Sequence, residues 1–179
     1  MDWLTRLTQR RYGEGQRLTA LLVGQVLFWV GFPLFIVVGS DYLDGWLHLP
    51  RFIYGLANPT VALLLIVPGG LFAEWAVCVQ LSVGRGTPLP VVATRRLIME
   101  SPYTYCRNPM ALGTTMVYLG VAVWVGSLSA IALAFIYPSV IVVYTKLFEE
   151  RELEKRFGSE YVEYKKRTPF VIPRLRRSR

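Results

Sequence analysis

Residues 108–145, NPMALGTTMVYLGVAVWVGSLSAIALAFIYPSVIVVYT, run for 38 positions without a charged side chain. As one α-helix this stretch would measure about 57 Å, close to twice the roughly 30 Å hydrocarbon core of a bilayer. It must therefore fold back on itself, and Gly126, Ser127 and Ser129 near its middle supply turn chemistry. Two antiparallel spans of about 17 to 19 residues each are predicted. Asn108 and Pro109 suit the start of the first, because Asn caps free amides and Pro fits the first helical turn.

Working outward, Leu18 to Gly39 is a run of 22 uncharged residues, about 33 Å as a helix and long enough to cross. Basic residues precede it as in a signal peptide, but the run is too long for such a core and lacks a small-residue cleavage site, so a retained span is expected. A further span is predicted from Pro59 to Ser82, with Asn58 as its cap and a kink at Pro68. Tyr42, Trp46, Phe52 and Tyr54 between these two spans read as an interfacial aromatic belt. The chain is thus predicted to be an all-α, multi-pass membrane protein of about four transmembrane helices. Its composition agrees, with 53% hydrophobic against 18% charged residues and a mean hydropathy of +0.38.

The net charge of +8, from 20 Lys and Arg against 12 Asp and Glu, could suit nucleic acid or an anionic membrane surface. Placement decides for anionic lipid headgroups, because the basic residues flank apolar segments. Arg6, Arg10, Arg11 and Arg17 precede the first span, Arg51 alone lies in the first connection, and Arg85, Arg95, Arg96 and Arg107 lie in the second. The third connection has no Lys or Arg, and Lys146 onward is densely basic. Positive-inside counting then puts both termini in the cytoplasm.

Two cysteines, Cys78 and Cys106, and the single His48 have no spacing suited to a zinc site or a disulfide framework. His48 reads as an interfacial loop residue, and no metal is expected. Gly84-Arg85-Gly86 lacks the third glycine and the preceding strand of a dinucleotide fingerprint. Glu74 stands inside an apolar helix, where a carboxylate is costly and marks a candidate site by default; reaching the interface is its other reading. Beyond the last span, Lys146 to Arg167 carries 13 charges. Leu153, Phe157, Tyr161 and Tyr164 recur there at helical steps and predict one amphipathic interfacial helix, weakened at Gly158. Arg174, Arg176, Arg177 and Arg179 form a basic tail.

The most informative stretch is Leu97 to Gly113, LIMESPYTYCRNPMALG, preceded by GRGTPLP and followed after the hairpin by FEERELEKRFGSEYVEYKKRTPFVIP. Together these resemble the isoprenylcysteine carboxyl methyltransferase and phospholipid methyltransferase superfamily. The likeness lies in a G-P-Y-x-Y-x-R-H/N-P-M-Y-x-G-like segment, a helical hairpin, a Glu-Glu pair and a closing FG-x-EY-x-x-Y-x-x-R-x-P segment. It covers roughly residues 84–173, leaving 1–17 as an N-terminal segment, 18–83 as the first two spans and 174–179 as the tail of a single membrane domain. Ser101 stands where the family often has Gly, Asn108 where many members have His, and Ala111 where Tyr is common.

The resemblance implies S-adenosylmethionine as cofactor, with S-adenosylhomocysteine as product, bound at the cytoplasmic interface, and a lipophilic methyl acceptor arriving from the bilayer. It also implies a pocket lined by Tyr103, Arg107, Asn108, Pro109, Glu149 and Glu150, with backbone at Leu97 and Ile98 facing the adenosine. Neighbouring helical side chains diverge by about 100°, so Glu149 and Glu150 cannot both point at one ligand atom; the resemblance implies Glu150 for the cofactor's ammonium, with Glu149 pairing a nearby Arg, and a solvated charge face is the structural alternative. Arg107 suits a carboxylate, which its planar fork can hold bidentately; snorkelling to a phosphate is its structural alternative. Arg167 would suit a carboxylate acceptor, whereas Tyr161, Tyr164 or a carboxylate would assist an amine. The sequence leaves carboxylate, amine and thiol acceptors open, as it does the oligomeric state. A silent membrane scaffold and a sterol-reductase-like enzyme using NADPH are the competing readings.

Overall fold

A computed structural model describes residues 14–84 and 96–173. Arg6, Arg10, Arg11, Arg85, Arg95 and the basic tail lie outside the described residues, as do Gly86 and the side chain of Arg17. The described residues are helical without a strand: α1 (Glu14–Val26), α2 (Phe32–Leu47), α3 (Ala57–Ser82), α4 (Pro109–Val125), α5 (Leu128–Tyr144), α6 (Glu150–Phe157) and α7 (Ser159–Arg167). Single π-helical turns, Leu27–Gly31 and Thr145–Glu149, join α1 to α2 and α5 to α6. Three continuous helices are long and apolar enough to cross a membrane, Leu18–Leu47, Ala57–Ser82 and Leu128–Phe157. The fourth, α4, is apolar but has 17 residues, about 26 Å of helix at the lower limit for a span. The chain is an all-α membrane protein.

The tightest contact is between α3 and α4. A Cβ placed on Gly113 would lie 2.5 Å from the Gly69 carbonyl oxygen and 2.7 Å from the Ala73 nitrogen, and one on Gly120 would lie 2.6 Å from Ile66 Cγ1. Small residues let the two backbones meet, the usual means by which helices associate in lipid, where burial of apolar surface gives no driving force. Pro68 therefore sits in a helix that continues through it to Ser82, next to a glycine that makes a helix contact.

The buried cluster of Ile36, Val117, Tyr118, Ala122, Ala130, Leu133, Ala134 and Tyr137 joins α2, α4 and α5. Tyr118 also explains how the first π turn is accommodated. Phe32 donates its N–H to Leu27 rather than to Phe28, and Pro33 has no N–H to offer. The Phe28 carbonyl is thereby left free, and the Tyr118 hydroxyl donates to it at 3.1 Å.

At the α4–α5 turn, Gly126 adopts φ 69° and the Ser127 hydroxyl caps α5 by accepting from the Ala130 N–H. The Phe52 N–H reaches the Gly126 carbonyl at 2.8 Å, and a Cβ on Gly126 would lie 2.6 Å from the Phe52 oxygen. Asn58 is not the expected helix cap. Its Oδ1 accepts from the Tyr54 N–H while its Nδ2 donates to Phe52 and Val123, so it ties the first connection to the end of α4.

Three other expectations are corrected. The first span extends past Gly39 to Leu47: Ser40 donates to the Val37 carbonyl, Asp41 pairs with Arg51 at 2.5 Å, and the buried Asp44 carboxylate, without a hydrogen-bond partner among the described residues, lies 3.9 Å from Arg51. Ser101-Pro102 starts no helix; residues 101–105 form turns, with Tyr103 N–H to Glu100 and Tyr105 N–H to Pro102. The single amphipathic helix is divided at Gly158, whose φ of 57° interrupts it and turns α7 back on the site. Tyr161 and Tyr164 are accordingly buried in the protein rather than laid on lipid.

The glycine seam makes a prediction. Gly113→Val forces side-chain atoms into the α3 backbone and is expected to destabilise the protein by about 1–3 kcal/mol. Gly45→Ala, at a helical position with nothing within 4 Å of an added Cβ, is expected to stabilise by about 0.5–1 kcal/mol. Thermal unfolding of both variants in detergent checks the opposite signs.

Candidate functional site

Asn108 opens α4 as expected, accepting the Ala111 N–H on Oδ1 at 3.2 Å, with Pro109 in the first turn. This fixes Arg107 at the mouth of the helix. The closing segment then lies alongside it: Arg107 N–H donates to Pro169 at 2.9 Å, Asn108 N–H to Phe170 at 3.0 Å, and Arg107 Nε to the Thr168 carbonyl at 3.1 Å. The Phe170 ring covers the guanidinium, with its centroid 5.4 Å from Arg107 Cζ.

Two predicted residues meet directly, since Arg107 Nη1 donates to Glu150 Oε1 in a short contact. The pair is largely enclosed, with 13% and 8% of the two side chains exposed. Lys165 binds the other oxygen of Glu150 at 2.5 Å and also reaches Glu154 at 2.9 Å. These bonds, chiefly the one to Glu150, raise the Lys165 pKa above the ordinary lysine value, so it is a cation at neutral pH. The Tyr161 hydroxyl lies 3.5 Å from Arg107 Nη1. Among the described residues Arg107 Nη2 makes no hydrogen bond.

Tyr103 spans two elements, donating its hydroxyl to the Ala76 carbonyl of α3 and receiving at its own carbonyl the hydroxyl of Tyr164. Burial raises both phenol pKa values well above the usual range, so both hydroxyls stay protonated. Ile98 is buried and Leu97 half-buried beside this loop. Glu149 diverges from Glu150 as its position requires, but its partner is the Thr145 hydroxyl at 3.0 Å, within the π turn, and not an arginine. Arg167 stands apart from the cluster. Its side chain is 79% exposed on α7 and pairs with Glu163 one turn earlier.

Sequence reasoning missed Lys165, Thr168 and Phe170 as parts of the site. A usable signal was present: Lys165 follows buried Tyr161 by four residues and shares its helix face. Thr168 and Phe170 act through backbone carbonyls or ring position, which no residue-type pattern reports. Among the described residues no group of three or more His, Cys, Asp and Glu side chains is placed to hold a metal.

These features define a helical membrane protein with an enclosed, charge-paired polar site at the end of a short apolar helix. Residues 57–160, more than half of the chain, match the phospholipid methyltransferase family, and the chain belongs to that family of membrane methyltransferases. It is also similar to the cobalt-zinc-cadmium resistance protein CzcN of Cupriavidus metallidurans, at 36% identity over 84 residues. That match covers 44% of this chain and 36% of the relative, little more than a third of its length.

The enclosed ion pair makes a stability prediction, because removing one member leaves the other buried and uncompensated. Glu150→Met alone is expected to destabilise by about 3–5 kcal/mol, and adding Arg107→Met should recover much of that loss in thermal unfolding. The thiols give a second test. Burial raises the Cys106 pKa to about 11, and the side chain is buried whereas Cys78 is exposed. A membrane-permeant maleimide at neutral pH is expected to label Cys106 only after denaturation.

Proposed function

We propose that the protein transfers a methyl group from S-adenosylmethionine to a lipophilic acceptor at the cytoplasmic membrane interface. The observation that carries this reading is the enclosed Arg107–Glu150 pair at the mouth of α4. Opposite charges held side by side there complement a zwitterionic amino-acid group. Arg107 offers its Nη2, without a hydrogen bond among the described residues and supported by the partial positive charge of the helix N-terminus, to a carboxylate. Glu150 offers its oxygens to an ammonium, for which Lys165 would give way. Tyr161 and Phe170 border this pair with aromatic surface that tolerates a cation.

S-adenosylmethionine supplies, when bound, a methyl group already activated on a sulfonium. The protein then has to align donor and acceptor and exclude water, and proximity and orientation are the main sources of rate. The closing segment fits this task, because residues 168–170 are bonded to residues 107–108 and keep Arg107 from solvent. The acceptor is an isoprenylcysteine-like carboxylate or a lipid amine. Arg167 would reach a carboxylate acceptor only by leaving Glu163. The positive-inside pattern supports cytoplasmic termini and a cytoplasmic site.

Calorimetry of S-adenosylhomocysteine binding to detergent-purified protein tests the reading. Saturable binding by wild type is expected, with at least about tenfold weaker binding in Arg107→Ala and Glu150→Gln. No binding by folded wild-type protein in lipid would return the weight to a scaffold.

A further inference from the structure

The Glu74 carboxylate, a candidate on sequence grounds, is already engaged. Gln25 donates to each of its oxygens at 3.1 Å and Trp29 Nε1 to one of them at 2.6 Å, which joins α1 to α3. The arrangement at Arg107 is less settled. Glu150 accepts from Arg107 on Oε1 and from Lys165 on Oε2 at 2.5 Å, so two cations share one carboxylate. Lys165 has a second acceptor in Glu154, at 2.9 Å. Glu150 and Glu154 stand one turn apart on α6 and share a helix face; the first side chain is 8% exposed and the second 40%. The lysine therefore bridges an inner and an outer carboxylate.

The helix that carries Lys165 is held in place by other contacts. Tyr161 and Tyr164 of α7 are buried, and the Tyr164 hydroxyl donates to the Tyr103 carbonyl at 2.7 Å. Lys165 can leave Glu150 by turning its long flexible stem toward Glu154 while α7 stays where it is. The charges say what can replace it. Arg107 and Lys165 balance Glu150 and Glu154, and a zwitterionic amino-acid group adds no net charge. When such a group places its carboxylate on Arg107 and its ammonium on Glu150, Lys165 keeps Glu154, and every ion retains a partner of opposite sign. The ligand's ammonium and that of Lys165 have the same donor chemistry and compete for the same oxygen.

We propose that Lys165 is a tethered competitor of the ligand's ammonium: on Glu150 it takes that group's place, and Glu154 is the position to which it withdraws when ligand binds. This rests on the methyltransferase reading, under which the ligand is S-adenosylmethionine, and adds to that site a residue that sets affinity and assists product release. Apparent affinity falls by the fraction of molecules in which the site is competent, so a lysine that occupies Glu150 about nine-tenths of the time weakens binding about tenfold.

Calorimetry of S-adenosylhomocysteine binding to the full chain in detergent tests the competition. Lys165→Met is expected to bind about tenfold more tightly than wild type, and Glu154→Gln, which removes the outer position, at least about threefold more weakly. The double variant is expected to match Lys165→Met, because the outer carboxylate has no part to play once the lysine is gone. Lys165→Gln, also uncharged, should tighten binding as well and keeps the comparison readable if the Met variant does not fold. Lys166→Met, at an exposed neighbour on the same helix, is expected to bind as wild type does; tightening equal to that of Lys165→Met overturns the proposal in favour of the general charge of α7. Binding by the Lys165 variants that is equal to or weaker than that of wild type overturns it too, the weaker case making Lys165 part of the ligand's own pocket. Absence of binding in wild type and both Lys165 variants counts against the methyltransferase reading itself, and the proposal falls with it.

Discussion

The arrangement depends on how closely α3 and α4 approach. In lipid the apolar faces of two helices gain little by leaving the solvent, so contact has to come from close packing, and here Gly69, Gly113 and Gly120 bring backbone against backbone. The seam fixes the depth of α4 against a longer helix. Because α4 begins at Asn108 and Pro109, that depth also sets where Arg107 projects. A short helix of 17 residues thus serves as a positioning rod for the group at its mouth.

The polar site is built by elements distant in sequence. Arg107 comes from the head of α4, Glu150 from the start of α6, Lys165 from α7, and the covering carbonyls from residues 168–170. A π turn at Thr145–Glu149 immediately precedes Glu150; such turns shift the register of the helix beyond them and recur at functional positions. Glu149 is directed to Thr145 in the same turn, so the two adjacent carboxylates serve different surroundings.

Much of this was legible in the sequence for identifiable reasons. The uncharged runs were too long for anything but membrane helices, and the middle run was too long for one. Asn108-Pro109 combined a cap with a first-turn residue and both were used as such, while the motif segments pointed to Arg107 and Glu150, which meet. Features that were not legible depended on partners supplied by the fold. Asn58-Pro59 has the same local chemistry as Asn108-Pro109, yet Asn58 turns its side chain to Phe52 and Val123 because the α4–α5 turn lies beside it. Ser40, Asp41 and Asp44 have the polarity of a span's end, but the helix continues through them beside Arg51 and the start of α5. Arg167 shares a helix with Tyr161 and Tyr164, but its position turns it to solvent while they face inward.

The pairing of residues 168–170 with residues 107–108 also bears on the order in which the molecule is completed during synthesis. Chains emerge from the N-terminus, and domains tend to fold as they are made. All four apolar helices precede the closing segment, so they are available for insertion and packing before the carbonyls of Thr168, Pro169 and Phe170 exist to meet Arg107 and Asn108. Until then the backbone N–H groups of residues 107 and 108 lack their final acceptors, and Phe170 does not yet cover the guanidinium. The bundle is thus an early product of translation and the enclosed site a late one, which separates correct membrane insertion from the acquisition of a finished polar centre.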